Sequence, residues 1–162
     1  MLDVGCGIGG TSRYLASKHG CEVTGITISG KQVAIARRET ESQRKTHGQA
    51  EFTKDDGLVP YSPDNSQGDV RYLELDAEKM GDFFTTPPSA ATFDCVWISE
   101  AMSHLPDKKL FFNNAYELLK PEGKLVVADW FKAKGLTDAQ EVADIKPIEG
   151  TLDPNLVHFC SS

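Results

Sequence analysis

The chain has 162 residues, of which 40% are hydrophobic and 25% charged, and its formal net charge is -7. These values suit one globular domain with one core, and the acidic balance argues against a nucleic-acid partner, which needs basic side chains to neutralise phosphates. No CxxC pair, signal peptide or apolar run of about 18 residues is present, which disfavours a metal site and a transmembrane segment. We therefore expect a cytoplasmic protein, with its oligomeric state left open.

Strand and helix signals alternate in the first third of the chain. The predicted elements are a strand at Leu2–Val4, a glycine turn at Gly5–Gly10, a helix at Thr11–His19, a strand at Cys21–Ile28 and a helix from Ser29 to near Thr46. Gly20 is a residue type that ends helices. Gln32 follows Ser29 at the spacing of a capping box.

The alternation continues after a long polar stretch. We predict a loop over 47–68, strands at Val70–Leu75, Phe93–Ser99 and Leu125–Ala128, and helices at Asp107–Leu119 and Thr137–Ile145. The strand Phe93–Ser99 is nearly continuous in apolar character, as expected for a strand buried on both faces. Leu125–Ala128 is predicted as a fifth buried strand, which would become an exposed apolar edge if it ends the sheet. Such alternation predicts an α/β protein with a doubly wound parallel sheet, whose ligands bind beyond the carboxyl ends of the strands.

The turn at Gly5–Gly10 satisfies G-x-G-x-x-G, a pattern shared by several nucleotide-binding sites. A dinucleotide site, as in an NAD-dependent oxidoreductase, would want an acidic residue near the end of the second strand, where this chain has Thr27 and Ile28. Asp3 lies two residues before the first glycine and suits a ligand with a positive charge, such as an ammonium or sulfonium group. These residues favour a cationic cofactor over NAD.

Five ordered segments carry a family resemblance. They are "LDVGCGIGG", "VTGITISGKQ", "LELDAEKM", "FDCVWISEAMSHLPDKKLFF" and "LLKPEGKLVVADW". Together they resemble the class I S-adenosylmethionine-dependent methyltransferases, in particular the γ-tocopherol, sterol and cyclopropane-fatty-acid methyltransferase group. The resemblance implies a Rossmann-like sheet of order 3-2-1-4-5, S-adenosyl-L-methionine as cofactor, and methyl transfer to a small-molecule acceptor that is lipid-like or isoprenoid.

The resemblance also implies a set of cofactor-binding residues. They are Asp3, Gly5, Cys6, Gly7, Gly9, Thr27, Ile28, Gln32, Asp76, Ala77 and Ser99. The glycines would leave room for the methionine part, and Asp3 would meet its ammonium group. Thr27, Ile28 and Gln32 would surround the ribose and adenine, and Asp76 and Ala77 would address adenine.

Several of these residues also have a purely structural interpretation. Gln32 can serve as a helix cap, Asp76 as a solvated loop acid and Ser99 as a simple strand-end hydroxyl. The aromatic residues are interpreted as core rather than as a substrate box. They are Trp97, Phe111, Phe112, Trp130 and Phe131.

His104 and Glu100 are the candidate catalytic residues, in the loop that would border the reactive methyl group. A base is required only if the acceptor must lose a proton, and alignment and desolvation otherwise supply most of the acceleration. His104 could equally be a structural loop residue. The tocopherol and cyclopropane enzymes often carry an acid immediately before this histidine, where this chain has Ser103.

The resemblance covers residues 1 to 132, and family members carry a helical segment before the first strand and two further strands after the fifth. We therefore expect a truncated member, with an incomplete cofactor-binding core at 1–149 and an unstructured tail at 150–162. The alternative function is a non-catalytic remnant that binds S-adenosylmethionine weakly or not at all. A third possible function, an NAD-dependent oxidoreductase, is disfavoured because no acidic residue lies near the end of the second strand.

Overall fold

The computed structural model describes residues 1–46, 58–60, 68–132, 135–146 and 160–161. Its helices and strands are β1 (Leu2–Val4), α1 (Gly10–His19), β2 (Val23–Thr27), α2 (Gly30–Thr46), β3 (Leu58–Pro60), β4 (Asp69–Glu74), α3 (Met80–Thr85), β5 (Phe93–Ser99), α4 (Lys108–Leu118), β6 (Leu119–Ala128), β7 (Phe131–Lys132), α5 (Asp138–Gln140) and β8 (Cys160–Ser161). Short 3-10 turns cover Ala77–Lys79 and Met102–His104, and a π-helical turn over Glu141–Ile145 continues α5. No helix in these ranges combines the length and apolar character that a membrane span requires.

Within the described ranges, one sheet has the strand order β3-β4-β2-β1-β5-β6. Every neighbouring pair in it is parallel except β3 with β4. The five parallel strands therefore reproduce the predicted order 3-2-1-4-5, which is confirmed. The carboxyl ends of β1, β2, β4 and β5 lie along one edge of the sheet, and every candidate site residue lies at or just beyond them.

The antiparallel edge strand β3 corrects the predicted loop over 47–68. It pairs Leu58 with Arg71 and Pro60 with Asp69. Three residues are too few for an alternating pattern to be read from the sequence, and an edge strand tolerates a proline because one side of it needs no ladder N–H. The rest of the predicted loop, 47–57 and 61–67, lies outside the described residues.

The predicted unstructured tail also needs a correction at two positions. Cys160 and Ser161 form β8, which pairs in parallel with Phe131 and Lys132 of β7. The pairing joins segments almost thirty residues apart, so no local pattern announces it. The remaining residues of this tail lie outside the described ranges.

Two apolar clusters lie on opposite faces of the sheet. The first joins β5 to α3 and α4, and it contains Phe84, Val96, Ile98, Phe111 and Leu118. The second joins β2 and β4 to α1 and α2, and it contains Ala16, Val23, Val33 and Tyr72. Helices thus cover both faces of the sheet, as the alternation of elements predicts.

Helix ends follow the predicted signals closely. Gly20 is left-handed at φ 63° and its N–H donates to the carbonyl oxygen of Ala16, so it ends α1 as predicted. Asp107 caps α4, because its side chain accepts a hydrogen bond from the Leu110 N–H at 2.8 Å.

The strand β6 is longer and less buried than predicted. It begins at Leu119, directly after α4, and the register between β5 and β6 shifts between Phe93 and Cys95. The apolar residues Leu125 and Val127 are only partly buried, although both pack on the first cluster. The prediction of a buried fifth strand is therefore wrong, whereas the alternative of an exposed apolar edge agrees with the position of β6 at the end of the sheet in the described part of the chain.

Candidate cofactor and active site

Backbone hydrogen bonds hold the glycine turn between β1 and α1. The N–H groups of Gly5 and Cys6 both donate to the carbonyl oxygen of Ile26, at 2.9 and 3.0 Å, and Gly9 N–H donates to the Cys6 carbonyl at 2.9 Å. Gly5, Gly7 and Gly9 have φ values of 73°, 55° and 78°. L side chains rarely adopt this left-handed region, so the turn requires glycine at these positions.

The three glycines face different surroundings. A Cβ on Gly9 would overlap the phenol of Tyr72, and one on Gly5 would overlap the Cβ of Ala101. A Cβ on Gly7 would meet nothing within 4 Å. Gly5 and Gly9 therefore allow protein groups to approach, whereas the space beside Gly7 is open.

The Cys6 side chain does not face this space. It belongs to the second apolar cluster and lies against Gly25. Burial raises the pKa of its thiol to about 12, so the thiol is uncharged at neutral pH. The backbone of Cys6 supports the turn, and its contact with a cofactor stays a prediction.

Asp3 places a carboxylate in the interior beneath the turn. Its side chain faces α1, where the Ser12 hydroxyl donates to Oδ2 at 2.6 Å. The residue is 3% exposed. Burial raises the pKa of this carboxyl group to about 6, and the Ser12 hydrogen bond offsets only part of that rise. A cationic ligand group near Asp3 would stabilise its ionised form.

The end of β2 presents polar and apolar groups side by side. The Thr27 hydroxyl donates to Oε1 of Gln32 at 2.6 Å, and the Ile28 side chain is 74% exposed. The Gln32 backbone N–H lies 3.4 Å from the Ser29 hydroxyl oxygen that accepts from it. Ser29 thus caps α2 through the backbone of Gln32, while the side chain of Gln32 turns to the end of the strand.

Glu74 is a carboxylate near this point that sequence reasoning missed. It pairs with Thr27 in the β2–β4 register, and its carboxylate lies against Gly30 at the start of α2. The neighbouring strand β4 thus brings a carboxylate to the place where the second strand ends. Its distance from Thr27 along the chain hides it from any motif based on spacing.

Asp76 follows β4 and caps a short turn. Its Oδ1 accepts from the Glu78 N–H at 3.0 Å, and its carbonyl oxygen accepts from the Lys79 N–H at 2.9 Å. Ala77 is buried in the first apolar cluster. One carboxylate oxygen of Asp76 therefore has a structural role, and the position of Asp76 and Ala77 at the carboxyl edge is as predicted.

The candidate catalytic residues follow β5. Ser99 is half-buried at the end of the strand, Glu100 is exposed with φ 52°, and His104 is exposed in the turn Met102–His104. The Glu100 N–H donates to the Ala128 carbonyl at 2.8 Å. Among the described residues, neither the Glu100 carboxylate nor the His104 ring forms a hydrogen bond or ion pair, so both side chains are available to a substrate.

Two carboxylates that sequence reasoning missed hold this loop. Asp129, just after β6, accepts from the Met102 N–H at 2.7 Å. Glu78, after β4, accepts from the Asp107 N–H at 3.0 Å. An acid directly after an apolar strand is the signal that could have pointed to Asp129, whereas nothing in the local sequence marks Glu78.

The aromatic residues divide between core and surface. Phe111 is buried in the first cluster, as predicted. Trp130 is 71% exposed and Phe112 42% exposed, so the core interpretation is wrong for both. Trp97 is half-buried, and its Nε1 is buried without a hydrogen-bond partner in the described part of the molecule. The side chain of Phe131 lies outside the described residues.

The residues at this edge are chemically compatible with S-adenosylmethionine, which carries charged groups and an apolar adenine ring. The buried Asp3 carboxylate would receive a cation, the open position at Gly7 would admit the methionine part, and the exposed Ile28 would offer an apolar face to adenine. Across the described ranges, no three His, Cys, Asp or Glu side chains are grouped so as to hold a metal ion.

Comparison with known proteins identifies the family of the chain. The methyltransferase domain family matches residues 2–127. The chain is 40% identical over 130 residues to the 2-methyl-6-phytyl-1,4-hydroquinone methyltransferase of Synechocystis sp. (strain ATCC 27184 / PCC 6803 / Kazusa), an alignment that covers 80% of this chain and 31% of that protein. It is 32% identical over 130 residues to the chloroplastic tocopherol O-methyltransferase of Arabidopsis thaliana, covering 80% and 30%.

The fold itself also recurs among solved structures. The phosphoethanolamine N-methyltransferase 2 of Haemonchus contortus, solved with phosphomonomethylethanolamine and S-adenosylhomocysteine, matches 98% of this chain with a TM-score of 0.65 at 23% identity, and the match covers 29% of that chain. The chain spans about a third of the length of the two curated relatives above. Its matched domain, its motifs and its strand order place the chain in the class I S-adenosylmethionine-dependent methyltransferase family.

Proposed function

We propose that this chain binds S-adenosylmethionine at the carboxyl edge of its sheet and transfers a methyl group to a prenylated phenol or a related lipid-like acceptor. The observation that carries the cofactor part is the buried Asp3 carboxylate beneath a glycine turn that is open at Gly7. When bound, S-adenosylmethionine supplies a methyl group on a positively charged sulfur that is already a good leaving group. The protein therefore has to orient the acceptor and exclude water.

The cofactor-binding roles follow from where each side chain lies. Asp3 would accept from the ammonium group. The amide nitrogen of Gln32 can donate to a ribose oxygen, since its Oε1 already accepts from Thr27. Asp76 uses Oδ1 to cap its turn, which leaves Oδ2 to accept from the adenine amine.

The acceptor class rests on the relatives and on one exposed aromatic residue. The two curated relatives are named for a phytylated hydroquinone and for tocopherol, both of which carry a phenolic ring. Trp130 lies just beyond β6, and its exposed indole offers a face on which such a ring can stack. If the acceptor is a phenol, it must lose a proton, and His104 or Glu100 would accept that proton.

Titration calorimetry with S-adenosylhomocysteine tests the cofactor site, with NAD as the control ligand. Micromolar binding of S-adenosylhomocysteine alone supports the proposal, and absence of binding by a folded protein contradicts it. The most informative variant is Asp76→Asn. Its amide oxygen can still accept the hydrogen bond from the Glu78 N–H, while its NH₂ group replaces the oxygen proposed to accept from adenine. We expect it to weaken binding at least tenfold, while Asp82→Asn on the exposed start of α3 leaves binding unchanged.

A methyl-transfer assay with labelled S-adenosylmethionine tests the acceptor. The acceptors would be a phytylated hydroquinone, γ-tocopherol and, as a hydrophilic comparison, phosphoethanolamine. Labelling of either prenylated compound supports the proposal. Labelling of phosphoethanolamine alone overturns the acceptor class and leaves the cofactor site intact. Binding without labelling of any acceptor supports the alternative of a non-catalytic binding domain.

A further inference from the structure

The loop Glu100–Asp107 carries both candidate catalytic residues, and protein groups from three other loops hold it. Met102 and Leu105 are buried in the first apolar cluster and fix the inner side of the loop. Ala101 lies against Gly5 of the glycine turn. Glu100 and His104 remain exposed between these contacts. The loop is therefore packed as a unit while presenting its two titratable side chains outward.

Asp129 holds the first half of this loop. Its Oδ2 accepts from the Met102 N–H at 2.7 Å, and its Oδ1 accepts from the Trp130 N–H at 2.8 Å. Met102 is the first residue of the turn that carries His104. A hydrogen bond from a backbone N–H to a carboxylate is stronger than one between neutral groups. Asp129 thus ties the start of this turn to the end of β6.

Glu78 holds the second half of the loop. Its Oε1 accepts from the Asp107 N–H at 3.0 Å, and Asp107 in turn caps α4 through the Leu110 N–H. The carbonyl oxygen of Glu78 accepts from the Asn114 side chain at 3.2 Å. Its N–H donates to Asp76, the residue proposed to address adenine. Glu78 therefore connects the turn after β4 to the end of the loop.

The backbone at the start of the loop also requires such restraints. Glu100 has φ 52°, a left-handed conformation that is unfavourable for a residue other than glycine and persists where neighbouring contacts enforce it. Its N–H bond to the Ala128 carbonyl is one such contact. Two residues later, the hydrogen bond from the Met102 N–H to Asp129 restrains the backbone again.

We propose that Asp129 and Glu78 are positioning residues that clamp the loop Glu100–Asp107 from both sides and thereby set His104 and Glu100 for methyl transfer. The loop follows β5, and its clamps come from the loops that follow β4 and β6. The catalytic part of this inference rests on the proposed function, whereas the clamp itself is a property of the chain without ligand.

Hydrogen exchange of backbone amides, measured by NMR on the chain without ligand, tests the clamp directly. We expect Asp129→Ala to speed exchange at Met102, and Glu78→Ala at Asp107, at least tenfold. Glu78→Gln keeps an acceptor oxygen and should restore protection at Asp107 to within about threefold of the wild type. Asp129→Asn keeps one of two acceptor oxygens and should give an intermediate rate at Met102. The exposed Glu117→Ala on α4 serves as the control that changes neither amide.

Unchanged exchange at Met102 and Asp107 in folded alanine variants would overturn the clamp. Failure of Glu78→Gln to restore protection would also overturn it, because the charge rather than the acceptor would then matter. If Asp129→Ala does not fold, Asp129→Leu decides the matter, because leucine has a similar branched shape and carries no acceptor: exchange at Met102 equal to that of the wild type contradicts the proposal. None of these results depends on cofactor binding, so failure of the proposed function leaves the clamp test valid.

A steady-state assay then tests positioning against a general loss of structure. With a prenylated acceptor that the chain methylates, we expect Glu78→Ala to lower kcat about tenfold, Glu78→Gln to recover it, and affinity for S-adenosylhomocysteine to stay within threefold in both. An equal loss of kcat in the alanine and glutamine variants contradicts positioning. A kcat unchanged by Glu78→Ala despite faster exchange at Asp107 shows that the clamp does not set the catalytic residues, which overturns that part of the proposal.

Discussion

The hydroxyl group of Tyr72 donates a hydrogen bond to the carbonyl oxygen of Gly9 at 3.2 Å. Tyr72 lies on β4 and is fully buried, and its phenol fills the space that a side chain at position 9 would occupy. The Thr40 hydroxyl from α2 lies 3.5 Å from the same phenol oxygen. The conformation of Gly9 is therefore fixed by contact with a residue 63 positions later in the chain. Substitutions at Gly9 and at Gly7 can then distinguish an effect on stability from an effect on cofactor binding.

Gly9→Ala should destabilise the fold, and Gly7→Ala should weaken cofactor binding. At Gly9 the new methyl group overlaps the Tyr72 ring and the left-handed φ adds strain, so we expect a loss of about 3 kcal/mol in unfolding free energy. At Gly7 only the strain remains, about 1–2 kcal/mol, while the methyl group enters the open ligand space. Urea unfolding and calorimetry with S-adenosylhomocysteine measure the two effects.

Gly10→Ala is the matched control for these glycine variants. Gly10 begins α1, has open space around its Cβ position and lacks a left-handed φ. Alanine is favoured over glycine in a helix by roughly 0.5–1 kcal/mol, so this variant should be as stable as the wild type or slightly more stable. Equal destabilisation by all three substitutions would contradict the assignment of separate roles.

Tyr72→Phe should cost about 1 kcal/mol of unfolding free energy. The ring keeps its packing, and the loss is that of the hydroxyl group, which leaves the buried Gly9 carbonyl without this donor. Denaturant unfolding measures the change. Because the ring still supports the turn, affinity for S-adenosylhomocysteine should stay within about threefold. A variant as stable as the wild type would show that the hydrogen bond contributes no net stability.

Because the pKa of Asp3 is raised in the folded state, we expect the unfolding free energy to fall as the pH rises from about 4 to 6. Burial raises the pKa of its carboxyl group from 3.8 to about 6, so in this window the folded state holds a proton that the unfolded chain has released. The contribution of protonated Asp3 to the unfolding free energy is fully present below pH 4. It is lost, by about 3 kcal/mol in all, as the pH rises through the folded pKa. Asp3→Asn keeps an acceptor for Ser12 and should remove this fall. Chemical denaturation of both proteins from pH 4 to 7 compares them, and Asp82→Asn provides the control with the fall intact.

The same carboxyl group predicts a pH dependence of cofactor affinity. A ligand ammonium favours the ionised form of Asp3, so binding of S-adenosylhomocysteine should strengthen as the pH rises through about 6 and release a proton there. Calorimetry in buffers of different ionisation enthalpy detects that proton. An affinity equal at pH 5 and pH 7 would argue that Asp3 does not meet the ammonium group.

Substitutions at Gln32 and at Ser29 should affect cofactor affinity and helix stability, respectively. Gln32→Ala removes the amide proposed to contact ribose but keeps the backbone N–H that Ser29 caps, so affinity for S-adenosylhomocysteine should fall about tenfold, or about 1.4 kcal/mol. Ser29→Ala should instead cost about 1 kcal/mol of stability and leave affinity unchanged. Calorimetry and thermal unfolding of both variants test this. A stability loss without an affinity loss in Gln32→Ala would favour the purely structural interpretation.

Local patterns were enough to predict the frame of the site. The glycine turn and the Gly20 helix end follow from features a few residues long, and the parallel sheet follows from the alternation of strands and helices. The strand order 3-2-1-4-5 was implied by the family resemblance. The positions of Asp3 and Asp76 at the carboxyl edge follow from the same alternation, because parallel strands bring their carboxyl ends to one side. The negative charge of Asp3, placed just before the glycine turn, also favoured a cofactor with a positive charge over NAD.

What the sequence by itself determined, then, is the type of fold, the edge of the sheet at which the candidate site residues lie and the methyltransferase family. The tertiary structure decided the role of each side chain. Tyr72 fills the place beside Gly9, Glu74 brings a carboxylate to the start of α2, and Asp129 and Glu78 hold the loop of His104. These contacts join residues that lie between 27 and 63 positions apart along the chain. Periodicity and motif spacing describe only neighbours along the chain, so such pairings exist only once the sheet has brought its carboxyl ends together.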